Sequence, residues 1–261
     1  MRLSWKLGRV AGIDLFLHPS ALLVWLLVAG ATGEGFFAAL PLVVALFTSI
    51  VLHELGHALM ARRYGIGTHD ITLYLIGGVA RLNRMPRSAG PELLIALAGP
   101  AVNVAIAAVL AVVIGLSGVL GLPREFWFEV LALNVGLVLF NLLPVFPMDG
   151  GRVLRALLSG WLGRVRATEV AAGLGQVLAV VGGVAGVLAG RLDLAVLALF
   201  IYFAAATERF QVVAEARREA QSRHGLSDPP APPSGFRWSD RGDGVWRLVP
   251  ILGRARNWGR S

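Results

Sequence analysis

One short stretch of the chain has the residue types and spacing of a metal-dependent hydrolase. His53-Glu54-Leu55-Gly56-His57 is an HExxH sequence. On a helix its two histidines are one turn apart, so both imidazoles can bind a single Zn²⁺. Glu54 then lies beside the metal, where it can act as a base toward a zinc-bound water. The motif therefore predicts zinc hydrolase chemistry with Glu54 as the catalytic residue.

The composition indicates that this motif lies in a membrane protein. Of the 261 residues, 56% are hydrophobic and only 15% are charged, with a mean hydropathy of +0.69. A soluble domain has about a quarter charged residues. Ionisable side chains are costly in a bilayer and are by default functional there. The net charge of +8 reflects arginine-rich cytoplasmic loops, so we expect the lipid bilayer, and no nucleic acid, as a partner.

The hydrophobic segments predict about six transmembrane helices. They cover residues 21–32, 36–60, 92–120, 126–143, 170–189 and 192–210. Residues 13–17 alternate as in a short strand. Residues 68–82 are β-branched and aromatic on either side of Gly77-Gly78, and too short to span a bilayer as a helix. The predicted fold class is an all-α polytopic membrane protein with a small membrane-associated β-hairpin or sheet.

The distribution of basic residues predicts the orientation of the chain. With a cytoplasmic N-terminus, the outside loops up to residue 218 contain only Arg124 and Arg191, and every other basic residue lies inside. This asymmetry favours an even number of spans, with both termini in the cytoplasm. Lys6 is the only lysine, which suggests a GC-rich genome. We expect a bacterial plasma membrane.

A catalytic zinc needs a third protein ligand and an open position. The chain has no cysteine, so this ligand must be a carboxylate or another histidine. The extended HExxHxxGxxH pattern fails, because Met60 and Arg63 occupy its glycine and histidine positions. The acidic residues in or beside the predicted spans are Asp70, Glu92, Glu125, Glu129, Asp149, Glu169 and Asp193.

Membrane topology favours Asp149 among these acids. The histidines lie near the cytoplasmic end of the second span, roughly 7 to 14 Å below the surface. Glu125, Glu129 and Asp193 belong to the outer side. Asp149 follows the cytoplasmic end of the fourth span, in a run with two prolines and two glycines. Such non-helical backbone at membrane depth is tolerated where it lines a protein cavity.

The HELGH sequence and the later NLLPVFPMDGGR sequence together resemble those of the site-2 proteases, which are membrane-embedded zinc peptidases of regulated intramembrane proteolysis. The resemblance covers residues 10–210 and implies one Zn²⁺ held by His53, His57 and Asp149, with Glu54 as general base. Gly77-Gly78 resembles the membrane-associated β region of this family. Six spans resemble its compact type, whose members often carry CBS domains. The tail of 213–261 is too short for a CBS pair.

Two asparagines complete the predicted substrate-binding set with Gly77 and Gly78. Asn141 resembles the family's asparagine before the Asp-Gly element. It either bonds between helices or orients the substrate or the tetrahedral oxyanion. Asn103 fits helix packing, as Asn134 does, but it follows Ala98-Gly99-Pro100, which also resembles the family.

These observations predict two domains and one preferred function. Residues 1–212 would form an intramembrane zinc metalloprotease domain, and residues 213–261 a flexible, Pro-rich, basic cytoplasmic tail. The enzyme would cleave a single-span membrane protein in or near its transmembrane segment, held extended by strand addition to residues 71–76. One alternative is a transporter or metal-handling protein with a His/Asp transit site, although no second repeat is visible. Another is a catalytically silent binder, which would have no need of Glu54.

Overall fold

The computed structural model describes residues 3–33, 35–75, 77–84, 86, 88–120, 124–223, 231–240 and 246–250. Within these ranges the helices are α1 (Leu22–Thr32), α2 (Leu40–Arg63), α3 (Ala89–Leu120), α4 (Arg124–Asn141), α5 (Asp149–Leu162), α6 (Arg164–Leu188) and α7 (Leu192–Arg223). The strands are β1 (Trp5–Val10), β2 (Ile13–Leu17), β3 (Thr68–Tyr74), β4 (Gly77–Leu82), β5 (Phe236–Asp240) and β6 (Trp246–Pro250).

The chain divides into two compact units, Met1–Arg209 and Phe210–Ser261. The first contains β1 to β4 and most of the helical residues. The second contains the end of α7 and an antiparallel pair of strands, β5 and β6, within the tail that the sequence predicts to be flexible. The domain assignment to residues 1–212 and 213–261 stays a prediction.

Four helices are long and apolar enough to cross a bilayer, among the residues that the structure describes. They span Leu40–Arg63, Ala89–Ser117, Arg164–Leu188 and Leu192–Arg218. The other two predicted spans are also helical but differ in character. Helix α1 has 11 residues, and α4 includes Arg124, Glu125 and Glu129 among its 18. The prediction of a mostly helical, multi-span fold with a small sheet is confirmed. Of the six predicted spans, four are supported by the length and apolar character of their helices.

The predicted hairpin is part of a larger sheet whose strand order is β1-β2-β3-β4. Strands β1 and β2 are antiparallel, β2 and β3 are parallel, and β3 and β4 are antiparallel. Strand β3 is therefore paired along both edges, and β4 is an edge strand. The N-terminal strands complete the sheet because Leu15 and Leu17 pair with Ile71 and Leu73, the latter two being buried.

Small residues let the helices around the motif approach closely. A Cβ atom on Gly56 would lie 2.7 Å from the carbonyl oxygen of Ala98, so the α2 and α3 backbones are in contact there. Gly150 and Gly151 likewise allow close contact between two segments of backbone at the start of α5. A Cβ atom on Gly150 would lie 2.2 Å from the carbonyl oxygen of Leu143. The turn before α5 is thereby held directly against the first turn of the helix that begins at Asp149.

This packing predicts opposite results for two glycines of α5. Gly150→Ala should lower the midpoint of thermal unfolding in detergent, because overpacking against rigid backbone costs about 1–3 kcal/mol. Gly160→Ala is the matched control, since nothing lies within 4 Å of its added Cβ atom. The control should be neutral or stabilising by up to about 1 kcal/mol. Equal midpoints for the two variants would show that the tight contact does not exist.

Candidate metal centre

The structure brings His53, His57 and Asp149 together in a buried cluster. The Nε2 atoms of the two histidines are 3.1 Å apart. The Oδ2 atom of Asp149 lies 3.1 Å from Nε2 of His53 and 3.0 Å from Nε2 of His57. Three donors bound to one tetrahedral zinc would be roughly 3.3 Å apart, given bonds of about 2.0–2.2 Å. The triangle is therefore close to the size that a zinc ion requires.

Hydrogen bonds at the far side of each imidazole select the tautomer that can bind a metal. Nδ1 of His57 lies 2.7 Å from the carbonyl oxygen of Ile95, and Nδ1 of His53 lies 2.5 Å from Oδ1 of Asn103. Both partners are acceptors, so each Nδ1 carries the proton and donates it. Each Nε2 then presents a lone pair toward the centre of the cluster. The donor set fits a zinc site.

A chain of side-chain amides continues from His53 into the helix bundle. Nδ2 of Asn103 donates to Oδ1 of Asn134 over 2.9 Å. Nδ2 of Asn134 in turn donates to Oγ of Ser49 and to the carbonyl oxygen of Val130. Both asparagines are fully buried. The amide chain satisfies these polar groups in an apolar setting and holds the imidazole of His53 in one orientation.

Asp149 is the first residue of α5. Burial raises the pKa of its carboxyl, but the interactions with His53, His57 and Arg152 outweigh burial, so its pKa lies below the usual range. The carboxylate is therefore the form present at neutral pH, and it is the form that binds a cation. Two of the other acidic residues considered as a third ligand form ion pairs with arginines instead: Asp70 with Arg81, and Glu92 with Arg155.

Gly99 lies directly against the two histidines, a contact that its sequence does not predict. A Cβ atom there would be 2.2 Å from Nε2 of His57 and 2.7 Å from Nε2 of His53. Any side chain would therefore occupy the space where the imidazoles meet. The Ala98-Gly99-Pro100 sequence was the available signal, but a contact between α2 and α3 cannot be read from one segment.

Glu54 is half-buried beside the metal ligands and held by β4. Its Oε2 atom accepts a hydrogen bond of 3.1 Å from the backbone N–H of Ala80. A Cβ atom on Gly78 would lie 2.7 Å from Cγ of Glu54, so the strand passes close to the carboxylate. A larger residue at position 78 would displace the side chain of Glu54.

A cavity of about 240 Å³ opens onto Glu54 and His53. Three of the four predicted substrate-binding residues, Gly77, Gly78 and Asn141, line this cavity. The side chain of Asn141 also donates to the carbonyl oxygen of Leu137 over 2.9 Å. The apolar part of the lining comes from α1, α2, α4 and the end of β3, at Val24, Leu46, Phe47, Ile50, Tyr74, Leu75, Leu137 and Phe140.

Two predictions for substrate contact need correction. Asn103 does not reach the cavity with the other three residues, because it is fully buried behind His53 and its amide is used by the ligand. Residues 71–76 cannot add a substrate strand as predicted, because β3 is already paired along both edges. Ile76 itself lies outside the described residues. The edge strand β4 is the one that borders Glu54.

Comparisons with known proteins show which family has this arrangement of sequence and fold. The model of peptidase family M50 matches residues 41–120 and 119–185. The chain belongs to peptidase family M50. It is similar to the site-2 protease from Methanocaldococcus jannaschii, whose solved structure aligns with a TM-score of 0.61 at 36% identity, covering 79% of this chain and 95% of that one. The predicted membership of the site-2 protease family is confirmed.

Curated members of the M50 family are similar over most of the chain. Zinc metalloprotease MJ0392 of the same archaeon is 38% identical over 212 residues, which is 80% of this chain and 61% of that protein. Rip3 of Mycobacterium tuberculosis, whose name also describes a zinc metalloprotease, is 36% identical over 239 residues, covering 81% and 60%. The chain thus spans about 60% of the length of these relatives. The family and the donor set together identify the predicted cofactor as Zn²⁺. The family and the four long apolar helices identify the chain as an integral membrane protein.

The close approach of Gly99 predicts a specific defect in metal binding. Gly99→Ala should displace the imidazoles and weaken zinc affinity about tenfold or more, as perturbations around metal ligands commonly do. Gly115→Ala is the matched control on the same helix, with nothing within 4 Å of the added Cβ atom. Competition with a chromophoric chelator measures both. If Gly99→Ala retained the zinc affinity of Gly115→Ala, the helix α3 would not lie against the ligands.

Proposed function

We propose that the chain is an intramembrane zinc endopeptidase that hydrolyses peptide bonds in or near transmembrane segments of membrane proteins. The observation that carries this proposal is one cavity that reaches both a candidate zinc ligand, His53, and a carboxylate that is not a ligand, Glu54. A metal transit site would not need that glutamate. Membership of family M50 supports the same reaction class.

In this proposal His53, His57 and Asp149 bind the metal, and Glu54 is the general base. When bound, Zn²⁺ supplies a Lewis acid and makes water nucleophilic at neutral pH. The N–H of Ala80 holds Glu54 through Oε2, which leaves Oε1 to take the proton of the attacking water. The same carboxyl group then delivers this proton to the departing amine. Asn141, which also lines the cavity, would contact the substrate backbone.

The substrate must present an extended backbone to this carboxylate. A transmembrane helix uses its own N–H and C=O groups internally, so it must unwind before it can be cleaved. The edge of β4 could hold the unwound segment by strand addition. Gly77 and Gly78 have no side chains to obstruct a backbone that approaches Glu54. We therefore infer that β4, and not β3, presents the substrate.

The arginine asymmetry supports a cytoplasmic position for both termini and for the metal centre. Water would reach Glu54 from that side. A single-span protein in a bacterial plasma membrane is the substrate class that fits one narrow cavity beside one edge strand. The preference for such a substrate rests on the size of the cavity and on the position of β4, the edge strand that borders Glu54.

Glu54→Gln should retain one zinc per chain but lose cleavage, because an amide preserves the shape and cannot accept the proton. The expected loss is about 10²- to 10⁴-fold in rate. Proteins trapped on purified Glu54→Gln and identified by mass spectrometry supply the substrates. Each is then co-expressed as a tagged single-span protein with wild type or variant, and its fragments are quantified.

Glu125→Gln, at an exposed position in the first turn of α4, is the control for this experiment. It should bind zinc and cleave like the wild type. Normal cleavage by Glu54→Gln would contradict the role of Glu54 as base. Loss of zinc from Glu54→Gln would instead make this residue a ligand.

A further inference from the structure

Arg155 is the largest side chain that is fully buried in the described part of the protein, with an exposed fraction of 0%. It lies on α5, six residues after Asp149. Its Nε and Nη2 atoms donate to Oε1 of Glu92 over 2.8 and 2.5 Å, and its Nη1 atom donates to Oε1 of Glu208 over 2.5 Å. Its guanidinium also lies 4.9 Å from the ring centre of Phe146.

Glu92 is shared with a second arginine. Nη1 of Arg164 lies 3.3 Å from Oε2 of Glu92 and also donates to the carbonyl oxygen of Pro86 over 2.8 Å. We refer to Glu92, Arg155, Arg164 and Glu208 as the Arg155 cluster. It connects α3, α5, α6 and α7 within the first compact unit.

Stability alone does not explain such a cluster. Well-packed hydrophobic residues of similar volume commonly stabilise a protein as much as a buried ion pair does. What an arginine adds is geometry, since its planar fork of N–H groups fixes both the distance and the orientation of the carboxylates that it binds. The other buried residues of α5 after Asp149 are Gly150, Gly151 and Ala156. Beyond the backbone contacts of the two glycines and the apolar packing of Leu154, α5 has no other buried side chain that would fix it along its axis.

The metal centre needs this kind of fixation at one ligand in particular. His53 and His57 share helix α2, so their spacing is set locally. Asp149 comes from a separate segment and must be placed against them from outside. The helix that orients His57 is α3, through the carbonyl oxygen of Ile95. Glu92 lies on α3 three residues before Ile95, less than one turn away.

Arg155 also contacts the segment that precedes Asp149. Phe146 lies three residues before Asp149, is 1% exposed, and packs against Ala171, Ala172 and Ala205. Arg155 therefore holds the chain on both sides of the aspartate: the turn before it through Phe146, and the helix after it through α5. Its bonds to Glu92 connect both to the helix that orients the histidine.

We propose that Arg155 is a positioning residue for the third metal ligand. Through Glu92 and Glu208 it fixes the axial position of α5, and so it fixes the carboxylate of Asp149 opposite His53 and His57. This inference rests on the proposed ligation of zinc by Asp149. It assigns Arg155 no contact with substrate.

The experiment uses the full chain purified in detergent, with zinc affinity measured by competition with a chromophoric chelator. Arg155→Lys keeps the charge but loses the fork, and should weaken zinc binding about 10- to 100-fold, as loss of an outer partner of a metal ligand does. Glu208→Gln, whose side chain is 27% exposed, is a milder second variant. It keeps the inference testable if Arg155→Lys does not fold. Arg191→Lys, in an exposed pair with Asp193, is the matched control and should bind zinc like the wild type.

A second measurement separates positioning from simple stabilisation. The midpoint of thermal unfolding is recorded for each variant with the metal removed and with the same excess of zinc added. A ligand that binds the native state raises this midpoint by an amount that grows with the logarithm of its affinity. Positioning predicts that the zinc-induced rise shrinks in Arg155→Lys and Glu208→Gln. If both midpoints fall together and the zinc-induced rise equals that of the wild type, Arg155 is structural only and the inference is overturned.

A wild type that binds no zinc would overturn this inference and the proposed ligation together. A wild type that binds zinc but cleaves nothing would overturn only the proposed peptidase activity.

Discussion

The structure depends on one constraint: two imidazoles and one carboxylate must meet at about 3 Å from one another inside an apolar helix bundle. The first two donors are one helical turn apart on α2 and need no long-range arrangement. The third is the first residue of α5, just after the turn that follows α4 and 92 residues after His57. Everything that surrounds the cluster brings that turn to α2 or keeps the imidazoles facing it.

An apolar setting makes each of these supports strict. A buried polar group without a hydrogen-bond partner costs free energy, and the bilayer core contains no water that could serve as that partner. Each imidazole therefore has its own acceptor, Ile95 or Asn103, and the amide of Asn103 is bonded in turn to Asn134. The arginine of α5 is likewise paired with Glu92 and Glu208. Gly56 and Gly150 allow two segments of backbone to approach each other, and Gly99 leaves room for the two imidazoles.

The sequence predicted the parts of the site whose geometry is local or set by membrane topology. The spacing of His53 and His57 is a property of any helix, and Asp149 followed from the side of the membrane on which its turn lies. The roles of Asn103 and Gly99 depend on how α3 packs against α2, which no periodicity encodes. Strand order is also non-local: β3 is the more β-branched strand, yet the pairing of β2 with it leaves β4 as the edge beside Glu54. The Arg155 cluster joins four helices, so no single segment indicated it.

X-ray absorption at the zinc edge of the purified protein tests the central claim most directly, because it reports the ligands themselves. The account predicts two imidazole nitrogens at about 2.0–2.1 Å and a carboxylate oxygen at about 2.0–2.2 Å. In Asp149→Ala this carboxylate contribution should be lost, together with most of the bound zinc. An Asp149→Ala protein with full zinc content and an unchanged spectrum would contradict the account, since the third ligand would then lie elsewhere in the chain.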